Sequence, residues 1–147
     1  MLIIKIKLYM KQKYLKIVLA VISVYHIFLG ILAYLSGQWA VGIAKIVFGM
    51  TFSVNDQLLY VTKLLGIYAL VFGIFAAMAA ANPQKYRHVV EIGILLYVLR
   101  LINRLVFAGQ IQQAFQVSTS SMLVEVLLII FFGLALWMLR PKQANIA

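Results

Sequence analysis

Arg100, Asn103 and Arg104 stand inside "VEIGILLYVLRLINRLVF", residues 90–107, a stretch otherwise apolar enough for a lipid bilayer. A guanidinium group presents a planar fork of N–H donors that matches carboxylate and phosphate oxygens two at a time, so arginines four residues apart are equipped to hold an anion. Gly93, Tyr97, Arg100 and Arg104 follow one another at offsets of four, three and four, which places them on one helical face. A charge facing lipid at the bilayer centre costs on the order of 3 kcal/mol even on the lenient insertion scale, so this face is expected to point into protein.

A partner for these cations is expected at matched depth. Glu125 lies near the start of the next apolar run, which returns across the same distance; it is expected to pair with one of the arginines, and for Arg100 it is the first-choice partner. Lys63 enters from the same end of the preceding run, with Asp56 at its mouth. Asp56, Lys63, Arg100, Asn103, Arg104 and Glu125 thus form a candidate intramembrane polar cluster of three cations, two carboxylates and one amide. Two readings follow from it. One is a net positive pocket for an anionic or quinone-like headgroup; the other is a salt-bridge network that sets helix register, with Lys63 and Arg104 reaching toward the interface on their aliphatic stems.

The remaining polar groups offer less. Glu91 lies half a turn of azimuth from Arg100, near the opposite end, and is expected to pair with a basic group such as Lys16, Arg87 or Arg140, a proton-relay role being the alternative. Imidazoles are common axial haem ligands. His26, however, falls roughly 13 Å along its run by the helical rise whereas His88 opens another run, so a haem bridging them is not expected and no cofactor is. Cysteine is absent, as are HExxH, GxSxG and P-loop patterns, and no carboxylate pair has metal-ligand spacing. No catalytic residue or metal site is expected.

The elements that position these groups are set by composition. Of 147 residues 65% are hydrophobic and only 11% charged, against about 45–50% and 25% in soluble domains. This is the profile of an integral membrane protein. The formal net charge is +10, but the cations sit at the ends of apolar runs rather than on a basic face with interleaved aromatics, which suits anionic lipid headgroups and not nucleic acid.

Four stretches, 17–35, 57–81, 89–107 and 121–139, approach the ~20 residues that cross a ~30 Å hydrocarbon core. The run after the amino-terminal lysines is too long for a secretory leader and lacks a small-x-small cleavage pattern, so it is expected to stay as an anchor. Residues 38–53 rise only about 24 Å as a helix, marginal for a span. Nine of the thirteen Lys and Arg lie at 5–16, at 85–87 and at 140–142. The positive-inside rule gathers those regions on one cytoplasmic side only with four spans. The expected fold is therefore an all-α, integral membrane four-helix bundle, with a basic segment 1–16, an interfacial or re-entrant outer helix over 38–53 carrying Trp39 at headgroup depth, and a tail 140–147, both termini cytoplasmic. Ser and Thr in "GQIQQAFQVSTS" are placed to cap the last helix.

Small residues recur along one face of the second stretch at Gly66, Ala69, Gly73, Ala76 and Ala80, with a weaker counterpart at Ala20, Ser23 and Gly30. Such faces let helix backbones approach in lipid, either within one bundle or against another subunit. The layout of "HIFLGILAYL", "LLGIYALVFGIFAAMAAANP" and "LRLINRLVFAG" resembles that of the DoxX-like small four-helix membrane proteins over residues 17–139. That resemblance implies a compact four-helix bundle and, as in some members, association with a larger oxidoreductase; it carries no catalytic residues. The leading expectation is an accessory subunit of a larger complex in a bacterial inner membrane or an equivalent energy-converting one, contacting lipid and other membrane subunits. The alternative is a binding or transport protein for an anionic lipid, a quinone or a small organic anion.

Overall fold

The computed structural model describes the backbone of residues 2–141 and the side chains of residues 9–47 and 49–141. The side chains of Lys5 and Lys7 and most of the expected tail lie outside the described residues. All regular structure among the described residues is helical: α1 (Leu2–Leu35), α2 (Gly37–Phe48), α3 (Asp56–Ala81), α4 (Arg87–Val106), α5 (Ala108–Phe115) and α6 (Thr119–Leu139). Three stretches are long and apolar enough to cross a membrane, Tyr9–Leu35 within α1, Asp56–Ala81 and Thr119–Leu139. The 20-residue α4 has the length but carries Arg87, Glu91, Arg100 and Arg104.

Local chemistry explains where each helix stops. Ser36, in extended conformation, caps α2 by accepting the Trp39 N–H at 3.4 Å, and α2 ends at Gly49, whose left-handed φ of 62° is one a side chain rarely adopts. The helix expected over 38–53 therefore closes at Phe48, and residues 50–55 run on as a loop to the Asn55 cap, whose Oδ1 accepts the Leu58 N–H at 2.8 Å. Asp56 in the first turn of α3 complements the positive end of the helix dipole. Ser118 caps α6 through the Ser121 N–H, in keeping with its Ser/Thr-rich approach. Within the uncharged connection preceding it, for which the sequence announces no helix, residues 108–115 form α5; its glutamines and alanines are helix-compatible but give too short an apolar pattern to stand out.

The long α1 is the central member. It packs most extensively on α3 along one side and meets α6 on another, while α4 lies chiefly against α6. The α1/α3 crossing is close because it is built from small residues: a Cβ on Gly66 would stand 2.8 Å from the Ala33 Cβ, and one on Gly73 would stand 2.8 Å from the Ile27 backbone N. Ser23 Oγ–H donates to the Gly73 carbonyl at 2.9 Å across the same seam, satisfying a buried hydroxyl. One apolar core joins the two sides, with Leu15, Leu19 and Ile22 of α1 against Ala76 and Ala79 of α3, Val90 and Tyr97 of α4, and Ile129 and Leu136 of α6.

The two ends of the molecule differ. At one, the α2–α3 loop is tied to the α5–α6 turn: the Thr51 N–H donates to the Phe115 carbonyl at 3.2 Å, the Thr51 hydroxyl donates to Gln116 Oε1 at 2.6 Å, and Phe52 meets Phe115 edge to face. Lys45 is spent there, donating to the Phe52 carbonyl at 2.5 Å and lying over that ring. The α3–α4 turn occupies the other end, and Lys85 lies over Tyr86 beside it. Glu91 there binds His88, at 2.9 Å and three residues back, rather than the expected Lys or Arg; on a helix that neighbour is already within reach.

Candidate functional site

Glu125 is the buried charge around which the site is built, 7% exposed on the inward face of α6. Arg104 Nη2 donates to its Oε1 at 2.5 Å, and Arg100 Nη2 lies 3.8 Å from the same oxygen. One turn apart on α4, the two arginines reach a single carboxylate, so the pairing foreseen from matched depth is present and includes both. Arg104 takes the hydrogen bond, and Arg100 stands beyond hydrogen-bond distance, within attraction only. Side-chain exposures of 20% for Arg104 and 37% for Arg100 agree with that division. Two cations on one anion leave the cluster one positive charge in surplus, and it resides on Arg100.

Arg100 and Glu125 line a cleft of about 280 Å³, whose other walls are apolar and aromatic, among them Tyr25 of α1, Val47 of α2, Tyr97 of α4, and Leu128 and Phe132 of α6. The Tyr97 and Phe132 rings stack at 6.0 Å, which stiffens the α4/α6 wall. A few charged groups in an otherwise largely apolar concavity describe a site that can orient an amphipathic molecule by its head.

The other members of the expected cluster are elsewhere. Lys63 and Asp56 are exposed on α3, which packs on α1 away from the α4/α6 wall, and Asn103 is exposed on α4. None of the three lines the cleft. Asn103 is three residues from Arg100 but one from Arg104, so helical azimuth turns it off the shared face. The small-residue face of α3 is also accounted for: Gly66, Gly73 and Ala76 are buried, Ala69 and Ala80 half-buried, and its glycines lie against α1 of the same chain. His26 is a hydrogen-bonded core histidine, with Nδ1–H donating to the Ile22 carbonyl at 2.8 Å and its ring set edge-on to Tyr25 and Phe72. Among the described residues no three His, Cys, Asp or Glu side chains converge as a metal site would require.

Sequence reasoning missed Tyr25 and Val47 as walls of the site. Each is one apolar residue in a long apolar run, and no local signal distinguishes it. Compared with protein-family models, with curated proteins and with solved structures, the chain finds no match.

Proposed function

We propose that the chain is a four-span membrane protein that binds the head of an anionic lipid, a quinone or a small organic anion at Arg100. α4 serves as the fourth span, its charges tolerated because Arg100 and Arg104 share Glu125 inside protein. The basic end, with Lys85 and Arg87, is cytoplasmic, and the end tied together by Thr51 and Gln116 faces outward. The resemblance of the layout to that of the DoxX-like proteins implies four spans as well. One observation carries the binding reading: Glu125 accepts its hydrogen bond from Arg104, and the guanidinium of Arg100, 3.8 Å from the same carboxylate oxygen, lines a largely apolar cleft. The accessory-subunit reading stands as the second one; Gly66 and Gly73 of its small-residue stripe lie against α1 of the same chain.

Absence of cysteine makes the topology directly measurable. Single-cysteine variants Gln84→Cys and Gln113→Cys, probed in intact cells with a membrane-impermeant maleimide, are expected to label at position 113 and to stay unlabelled at 84 until the cells are opened. Labelling of both or neither in intact cells contradicts the four-span arrangement.

Binding is tested by native mass spectrometry of the protein purified in mild detergent. Wild type and Lys63→Gln are expected to retain the same small anionic or quinone-type molecule, and Arg100→Gln to lose it. Loss of a charged hydrogen-bond partner is worth about 1.5–3 kcal/mol, which corresponds to roughly a tenfold to hundredfold weaker affinity. Retention that is indifferent to Arg100 refutes the reading.

A further inference from the structure

A second cleft, of about 300 Å³, lies between α1, α2 and α3, and two residues that wall the Arg100 cleft, Tyr25 and Val47, wall this one too. Its lining includes the small residues Ala33 of α1, Gly66 and Ala69 of α3, and Ala40 and Ala44 of α2. Thr62 brings a hydroxyl to this cleft, and that hydroxyl is already donated to the Leu58 carbonyl at 2.8 Å. The groove is therefore lined mostly by apolar side chains, Tyr25 being the other residue that brings a hydroxyl. Along α1 from Tyr25 to Ala33 the helical rise is about 12 Å.

Resting on the proposed binding role of Arg100, we infer that the ligand is a single-chain carboxylate lipid of the fatty-acid class, its head on Arg100 and its tail passing between Tyr25 and Val47 into the α1/α2/α3 groove. Charge sets the head. The Arg100, Arg104 and Glu125 cluster carries one net positive charge, which one carboxylate neutralises, and the guanidinium fork fits its two oxygens. A phosphate monoester, close to doubly charged, would leave an excess negative charge in a partly buried site. Space sets the chain number. The clefts, about 280 and 300 Å³, lie at the bottom of the roughly 300–1,000 Å³ of small-molecule sites, and with Tyr25 and Val47 as shared walls they suit one chain laid across both.

Lipid tails are as apolar as the groove, so affinity alone would not reveal where a tail lies; its position must be read directly. The full chain is placed in phosphatidylcholine nanodiscs with palmitate analogues bearing a photoactivatable diazirine at the tail end or beside the carboxylate, and the labelled residues are mapped by mass spectrometry. Tail-end label is expected on α2 and α3 near Ala40, Ala44, Leu65 and Ala69, and head-end label near Leu128 and Phe132. Arg100→Gln lowers both about tenfold, whereas Ala44→Phe, and independently Ala40→Phe, lower the groove label alone. The matching long-chain alcohol labels neither place above background, and a two-chain phosphatidate analogue labels the groove at least tenfold less.

Head-end label that depends on Arg100, with tail label spread evenly over lipid-facing helices, overturns the inference and leaves the binding role standing. Label at both places that is unchanged by Arg100→Gln overturns both. Equal groove labelling by the alcohol refutes the carboxylate, and equal labelling by phosphatidate refutes the single chain.

Discussion

Replacing Glu125 by Gln is expected to cost about 3–5 kcal/mol of stability, the range for breaking a buried ion pair by removing one partner. The carboxylate is almost fully buried and holds two arginines, so its neutral replacement leaves two like charges one helical turn apart with nothing between them. Thermal unfolding in mild detergent is the measurement. The geometry also ranks the rescues. Adding Arg104→Gln removes the more enclosed and hydrogen-bonded cation and is expected to restore more of the loss than adding Arg100→Gln, whose half-exposed head already reaches the cleft. Recovery that is equal for both, or larger with Arg100→Gln, would show that the two arginines do not divide their roles in this way.

Gly30→Val should be the most damaging single change at the α1/α3 seam. A Cβ at position 30 would lie 2.6 Å from the Leu70 backbone N and 2.8 Å from the Gly66 carbonyl oxygen, and the backbone of α3 has no rotamer by which to yield. Overpacking costs about 1–3 kcal/mol where side chains relax; here the helices must separate, so a loss at or above that range is expected, with the groove between α1, α2 and α3 deformed as well. Gly42→Ala and Gly109→Ala are the controls. An added Cβ meets nothing within 4 Å at either site, and helix propensity alone then favours alanine by roughly 0.5–1 kcal/mol. A Gly30→Val protein as heat-stable as wild type would mean that α1 and α3 do not cross as described.

Much of the architecture is decided within single segments. Long apolar runs need a helix wherever water is absent, because each backbone N–H and C=O must find its partner inside its own segment, and this alone makes 9–35, 56–81 and 119–139 helical and apolar. Stops and starts are equally local, as at Gly49 with its left-handed backbone and Ser118 with its capping hydroxyl. The 93, 97, 100, 104 spacing marks the inward face of α4, and matched depth along consecutive helices is sufficient to bring its arginines to Glu125.

What periodicity does not contain is the azimuth of one helix about another. Lys63 shares an end of the molecule with Arg100, yet α3 is drawn to α1 by the Gly30, Gly66 and Gly73 contacts, which leave Lys63 exposed and outside the cleft. Which arginine holds the hydrogen bond depends on where along α4 the α6 carboxylate arrives, a difference of one turn that the charges themselves do not encode. The clefts, likewise, belong to no segment. They are spaces left between packed helices, and only that packing decides that Tyr25 and Val47, two residues without a signal of their own, wall both the cleft that holds Arg100 and a largely apolar groove.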